Sequence, residues 1–305
     1  MVGRLFSRFR EPKAQFDVEV VSGDLFPGST VEIRTTFQPQ EQFQVREAVI
    51  GLVCTEKSWK WRSGTKKGVT DLDLLLGEVR HSTELVKMTE SLLDSSELIP
   101  GTDYRKYVEF TIPENSPPTA QGDVVDISWR LFAYVVPDKR AQISRHQDIR
   151  VLSSPDGDDG MREAVPVALE AHFDRCELGM NVDSRLAEIG GILTGNFRLT
   201  SSQDTRLFWV TVELVCTERA GLKEKFPKDF IRFIFDMNRQ FQANEVKEWP
   251  FEIRLPRNAL ASVSQSETEV RWELRAGATP RMRSRMTVST PIRVFSVPPA
   301  QIELN

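Results

Sequence analysis

The sequence has few of the features that identify membrane, secreted or nucleic-acid-binding proteins. No apolar run approaches the roughly 18 residues that a membrane-spanning helix needs. The net charge is only −4 over 305 residues, which gives no argument for nucleic acid as a partner. Near the N-terminus, Arg4, Arg8 and Arg10 interrupt any apolar core of a secretory signal. With three cysteines in all, we expect reduced thiols and a cytoplasmic location.

Motifs for catalysis and for cofactor binding are also absent. There is no G-x-S-x-G elbow and no C-x-x-C pair, and residues 63–68 (S-G-T-K-K-G) have the letters of a phosphate-binding loop in the wrong order. The three histidines, His81, His146 and His172, do not have the spacing of metal ligands. We therefore expect no catalytic residue, no cofactor and no metal site, and we predict that the protein is not an enzyme.

The sequence does contain an internal repeat. Leu-Val-Cys-Thr-Glu occurs at residues 52–56 and again at 214–218. Three later segments recur at one constant spacing, namely 108–113 with 251–256, 127–131 with 270–274, and 149–151 with 292–294. A single long period of this kind indicates two copies of one domain. The spacing between the two Leu-Val-Cys-Thr-Glu motifs is longer than the constant spacing within the three later pairs. The first copy therefore holds an insertion between its motif and residue 108.

Alternating apolar residues indicate strands in both copies. Ala48, Ile50, Leu52 and Cys54 alternate with other residues, and the same alternation runs through 208–216, with Phe208 in phase with Val210. Turn-rich stretches separate such segments. The sequence therefore predicts an all-β protein made of two tandem immunoglobulin-like antiparallel β-sandwiches. In the inserted stretch, around residues 71–98, we expect a short helix or a long ordered loop.

The predicted domain organisation follows from the repeat and from one polar stretch. Residues 153–160 (S-S-P-D-G-D-D-G) contain no apolar residue and are typical of a linker. We predict an N-terminal amphipathic segment at 1–13, a first β-sandwich at 14–153, a linker at 154–164 and a second β-sandwich at 165–305.

Several turns and strands resemble those of the arrestin-like fold superfamily. The relevant segments are F-P-G-S-T-V at 26–31, F-T-I-P at 110–113, P-P-T at 117–119, V-D-I-S-W-R-L-F-A-Y at 125–134 and I-R-V at 149–151. The resemblance covers about residues 14–298 and is greatest to the bacterial sporulation-control branch. It implies an arrestin-like arrangement and a non-enzymatic adaptor or scaffold that binds protein partners in signalling or in stress or developmental regulation. The chain has no P-P-x-Y motif, unlike the arrestins that recruit ubiquitin ligases.

The first candidate binding site is the N-terminal segment. At helical spacing, Leu5, Phe6 and Phe9 form an apolar stripe, and Arg4 and Arg8 lie elsewhere on the helix surface. This pattern suits an anionic membrane surface at the inner face of the membrane. The alternatives are that the stripe docks on the first domain of the protein or on a partner, or that the segment is disordered.

The second candidate site follows the first Leu-Val-Cys-Thr-Glu motif, where arrestins have their finger loop. Trp59 and Trp61 lie there among basic residues that include Lys66 and Lys67. Tryptophan and basic side chains together suit lipid headgroups, phosphate or an acidic partner protein. The alternative is a strand extension with one tryptophan packed and the lysines solvated.

The third candidate is Arg150, for which the resemblance implies an interdomain ionic contact. The alternative is an exposed arginine on an edge strand. Two other functions also stay open, a structural protein that oligomerises through sheet edges and an enzyme with an interdomain site. The sequence does not distinguish a monomer from a homodimer.

Overall fold

The computed structural model describes residues 10–61, 78–153, 166–225 and 231–296, and it gives only the backbone of Trp61, Glu78, Val79 and Lys225. Within these ranges the protein is built of β-strands without helices, so the predicted all-β class is confirmed. No helix that could cross a membrane occurs in this part of the chain.

Twenty strands follow one another in the described ranges. They are β1 (Ala14–Val20), β2 (Thr30–Pro39), β3 (Phe43–Trp61), β4 (Glu78–Leu93), β5 (Glu97–Leu98), β6 (Tyr104–Thr111), β7 (Ala120–Gln121), β8 (Asp126–Pro137), β9 (Ile143–Ile149), β10 (Val167–His172), β11 (Cys176–Val182), β12 (Leu186–Glu188), β13 (Ile192–Ser201), β14 (Thr205–Ala220), β15 (Lys223–Lys225), β16 (Ile231–Phe241), β17 (Val246–Arg254), β18 (Val263–Ser264), β19 (Thr268–Pro280) and β20 (Met286–Phe295).

The described residues divide into two compact units, each drawn from more than one stretch of the chain. Unit 1 holds residues up to 57 together with 81–119 and 126–152, and unit 2 holds 58–61, 78–80, 120–125 and the residues from 153 onward. Unit 1 contains the sheet β1-β2-β6 and the sheet β4-β3-β8, in which β5 pairs with β3 and β9 with β8. Unit 2 contains β10-β11-β13-β17 and β12-β20-β19-β14-β15, in which β16 pairs with β14 and β18 with β19.

The internal repeat of the sequence recurs as a repeat of strands. β11 and β13 follow β1 and β2 at the spacing that separates the two Leu-Val-Cys-Thr-Glu motifs. β18 follows β7 at the shorter spacing of the three later segment pairs. The sheet β11-β13-β17 of unit 2 has the same antiparallel order as β1-β2-β6 of unit 1. The same two spacings that relate the sequence segments therefore relate the strands.

A tryptophan occupies the same environment in each copy. Trp129 donates its ring N–H to the carbonyl oxygen twelve residues earlier at 2.9 Å, and Trp272 makes the equivalent bond at 2.9 Å. In the strand register, Cys54 lies opposite Trp129, and Cys216 lies opposite Trp272. A buried tryptophan needs a partner for its N–H, and both copies provide one in the same way.

The core of each unit lies between its sheets. On β3 the alternate residues Ala48, Ile50, Leu52 and Cys54 are at most 1% exposed, and full burial of such an aliphatic side chain stabilises the fold by about 1.5–3 kcal/mol. Aromatic rings join the sheets. Phe37 of β2 meets Phe43 of β3 with ring centroids 6.2 Å apart, and in unit 2 Phe235 stacks on Trp249 at 5.7 Å. This arrangement is consistent with a β-sandwich.

The described part of the insertion differs from the sequence prediction of a helix or loop. Residues 78–93 form the long strand β4, which pairs with β3. Most of its side chains are exposed or half-buried, and Leu92 is its one buried residue among those whose side chains are described. Because an edge strand with little burial has little apolar alternation, the sequence pattern did not indicate it.

Gly221 allows a close backbone contact between the ends of β3 and β14 in unit 2. It has a φ of +60°, and a Cβ atom there would lie well within 3.0 Å of the carbonyl oxygen of Trp59. Only glycine adopts this backbone conformation freely and leaves room for the oxygen.

We predict that Gly221→Ala lowers the free energy of unfolding by about 1–3 kcal/mol, because the new methyl group adds a backbone clash to the strain of a positive φ. Chemical denaturation measures the change. The matched control is Gly101→Ala, where φ is +80° but no atom lies within 4 Å of the added Cβ. Equal losses in the two variants would contradict the proposed role of the Trp59 carbonyl.

Candidate functional site

β16 presents an open strand edge in unit 2. Among the described strands it pairs only with β14, so no described strand pairs with its outer side. Such an edge presents a row of backbone N–H and C=O groups that can accept another strand. Natural proteins usually protect an edge with charged side chains or with a short strand. β16 is eleven residues long, and its charged residues Arg232, Asp236 and Arg239 are engaged in ion pairs within unit 2.

Large apolar side chains lie along this edge. In the register, Trp209 of β14 lies directly opposite Met237 of β16, and Ile234 lies opposite Thr211. Cross-strand partners share a face, so these side chains form one patch, with Trp209 40%, Ile234 50% and Met237 63% exposed. What we call the apolar edge also includes Phe208, at 39% exposure, and Phe233, at 38% exposure. Phe233 lies opposite Val212 and therefore on the other face of the strand pair.

A β-bulge explains why two consecutive aromatic residues are exposed. Phe208 has no partner in the register with β16 or with β19, and the pairing with β19 shifts between Leu207 and Trp209. The pairing with β16 shifts separately, between Val210 and Thr211, where Phe235 of β16 is the extra residue. An extra residue in a strand turns side chains to the opposite face. Phe208 therefore lies against Trp209, with ring centroids 4.7 Å apart, and the sequence prediction that it shares the buried face of Val210 is wrong.

A clamped carboxylate borders the apolar edge. Glu213 is 4% exposed and is held by Arg232 at 2.5 Å and by Arg285 at 2.8 Å. Arg285 also donates a hydrogen bond to the Thr211 hydroxyl at 2.8 Å. Charge-assisted bonds of this kind are among the strongest in proteins. They join β14 to β16 and to the loop before β20, so the apolar edge lies on a firmly held strand pair.

The N-terminal stripe and part of the tryptophan and lysine segment lie outside the described residues. The residues concerned are Arg4, Leu5, Phe6, Arg8, Phe9, Lys66 and Lys67. Their predicted roles in membrane or partner binding stay predictions.

Trp59 lies near the end of β3 and packs within unit 2. Its carbonyl oxygen accepts the backbone N–H of Leu222 at 2.9 Å, and the ammonium nitrogen of Lys223 lies 3.6 Å from the centroid of its ring. A cation over an indole face is attracted by the ring quadrupole. The side chain is half-buried. Of Trp61 only the backbone is described, and the binding role predicted for both residues stays a prediction.

Arg150 follows β9 and is exposed. Within the described ranges it has no ion pair, and the interdomain contact that the resemblance implies for it stays a prediction.

The two glutamates that end the repeated motif have different environments. Glu218 is 9% exposed and accepts the backbone N–H groups of Val124 at 3.0 Å and Val125 at 3.3 Å. The missing side chain of Gly122 makes room for it, since a Cβ there would lie well within 3.0 Å of a Glu218 oxygen. Glu56 is 1% exposed, and neither of its carboxylate oxygens has a hydrogen-bond partner among the described residues.

No disulfide joins the cysteines in the described part of the chain, and the predicted burial of Cys54 is confirmed. Burial, together with the charge of Glu56, raises the pKa of the Cys54 thiol to about 12. Because the thiolate is the nucleophilic form, a pKa this high makes Cys54 a poor nucleophile.

No protein-family model matches the chain, and no curated protein matches it either.

We predict opposite stability changes for the two motif glutamates. Glu56→Met raises the free energy of unfolding by about 1–3 kcal/mol because it removes a buried carboxylate without a partner. Glu218→Met lowers it by a similar amount because two N–H groups lose their acceptor. Urea denaturation at neutral pH measures both changes, and a loss of stability in Glu56→Met would show that its carboxylate is satisfied in the folded protein.

We also predict that Cys54 resists alkylation. Iodoacetamide at a pH near 9.0, the ordinary thiol pKa, should label Cys54 in the unfolded chain and not in the folded one, as measured by mass spectrometry of its peptide. Folding keeps this thiol protonated up to about pH 12, whereas in the unfolded chain it ionises near pH 9.0. The contribution of Cys54 to the free energy of unfolding therefore falls as the pH rises from 9.0 to about 12. Cys54→Ala should remove that part of the pH dependence. Equal labelling of the folded and unfolded protein would contradict the raised pKa.

Proposed function

We propose that the protein is a non-enzymatic adaptor that binds an extended segment of a partner protein along the apolar edge. The observation that carries the proposal is the exposure of five large apolar side chains on an open, eleven-residue edge strand and its neighbour. Surface patches of this kind mark sites of protein interaction.

The edge offers both affinity and specificity for an extended peptide. The outer side of β16 supplies backbone hydrogen bonds, which any strand satisfies. Trp209, Ile234 and Met237 lie on one face of the strand pair, so they select a partner segment with apolar residues at alternate positions. Trp209 is a large, rigid side chain of the type that dominates binding energy at protein interfaces.

The wider arrangement that we propose is arrestin-like, with two immunoglobulin-like β-sandwiches in tandem. Its support is the repeat of strands at the two spacings of the sequence repeat, the equivalent tryptophan hydrogen bonds and the sequence landmarks at 26–31 and 110–134. The adaptor role in signalling or in stress or developmental regulation, the similarity to the sporulation-control branch and the location at the inner membrane face belong to the same proposal, and they rest on the sequence alone.

We predict that Ile234→Lys and Met237→Lys each weaken peptide binding at least about tenfold without loss of stability. The probe is a library of random peptides displayed on phage and selected on the full chain. Lysine on an edge strand opposes strand addition, and both side chains are at least half exposed, so the fold tolerates the change. The matched control is Ile192→Lys, which changes an isoleucine that is 46% exposed on β13.

The expected result is a set of peptides with alternating apolar residues that bind the wild type and the Ile192→Lys control, with at least about a tenfold loss of affinity in either edge variant. Peptides that bind all four proteins equally would contradict the proposal. Sedimentation at two protein concentrations tests the alternative. If the wild type self-associates and Met237→Lys does not, the edge joins copies of the chain, and the structural alternative replaces the adaptor.

A further inference from the structure

A trio of metal-ligating side chains lies on the β10–β11 hairpin, away from the apolar edge on another sheet. Glu170 and His172 are two residues apart on β10, so their side chains lie on the same face. Glu177 of β11 lies directly opposite His172 in the register. The three ligand atoms are within 4.8 Å of one another, and His172 Nδ1 is 3.8 Å from a Glu177 oxygen.

We propose that Glu170, His172 and Glu177 bind a divalent transition-metal ion of the zinc type. A metal bound at about 2.0–2.2 Å from each ligand needs neighbouring ligand atoms about 3.0–3.5 Å apart. The observed separations come close to this range, and small rotations of surface side chains, which occur on the nanosecond scale, are enough to reach it.

The ligand chemistry selects the class of ion. One imidazole with two carboxylates is a donor set that suits zinc and its neighbours, whereas calcium and magnesium prefer oxygen ligands alone. Because Glu170 and His172 are exposed and Glu177 is half-buried, water has access to the remaining coordination positions. The site therefore binds an exchangeable ion and leaves positions open to a further ligand.

The backbone around the trio is held firmly. The N–H of Phe173 donates to the carbonyl of Cys176 at 2.9 Å and closes the hairpin next to the His172–Glu177 pair. β11 is paired with β13 on its other side and buries Cys176 and Leu178 completely. The cost of ordering the site is thus limited to the side chains.

The charges around the trio favour a cation. Among the described residues, neither carboxylate has an ion pair with a lysine or an arginine. Arg198, on the next strand, pairs with Glu248 at 3.8 Å. Gly179 lies opposite Glu170 and presents no side chain; on its other side it lies opposite Arg198, whose Cβ is 3.6 Å from the position of an added Gly179 Cβ. Two carboxylates that face each other without a basic partner attract a metal ion.

The test is a calorimetric titration of the full chain with Zn²⁺, compared with His172→Gln, Glu177→Gln and the matched control His146→Gln. His146 is an exposed strand histidine two residues from Asp148, but it lies opposite Phe132 and so has no cross-strand carboxylate. We expect the wild type and His146→Gln to bind one Zn²⁺ per chain. Each of the other two variants should lose at least about tenfold in affinity, with unchanged melting temperatures in the absence of metal.

Three results of the calorimetric titrations would overturn the proposal. They are the absence of Zn²⁺ binding by the wild type, unchanged binding by His172→Gln, and Ca²⁺ binding as tight as that of Zn²⁺, which would show an unselective acidic surface. A Co²⁺ titration adds a direct readout, since loss of the imidazole ligand in His172→Gln should change the visible absorption of the bound ion. The same spectrum in the wild type and in His172→Gln would also overturn it.

Discussion

The pairing of β14 with β19 is the constraint on which the rest of unit 2 depends. The two strands are paired from Leu207 to Ala220, and Val210, Val212 and Leu214 are completely buried along this pair. Because side chains alternate between faces, a shift of register by one residue would put Thr211 and the clamped Glu213 in the place of this apolar row. The register is therefore set by burial, and the neighbouring strands must accommodate it.

The bulge at Phe208 follows from this constraint. Burial of Leu207 and burial of Val210 both stabilise the core, but they are three residues apart and cannot share one face of a regular strand. One extra residue resolves the conflict and turns Phe208 and Trp209 outward. The exposed aromatic pair of the candidate site is thus a consequence of how the core is packed, and the Glu213 clamp keeps the strand pair in place around it.

The two copies show how one motif serves different environments. Both Leu-Val-Cys-Thr-Glu segments place their cysteine opposite a tryptophan, so the packing half of the motif is shared. The glutamates differ, because Glu218 meets two backbone N–H groups whereas Glu56 meets none that the structure describes. A repeat in sequence therefore indicates a shared core. The hydrogen-bond partners of the polar residues depend on neighbouring loops that are not repeated.

Composition and periodicity by themselves determined the all-β class, the two copies and the burial of residues such as Ile50 and Cys54, because these depend on local alternation and on self-similarity along the chain. Tertiary structure alone decided which residues meet across strands. The alternation at 208–216 placed Phe208 in the core, and only the register revealed the bulge and the open edge of β16. In the sequence, the spacing of His172 from the other histidines does not indicate a metal site. Only the β10–β11 hairpin brings Glu177 opposite His172. Long-range pairing leaves no mark on a local sequence pattern. A shift of one residue in the pairing of two strands turns every side chain of the shifted strand to the opposite face of the sheet.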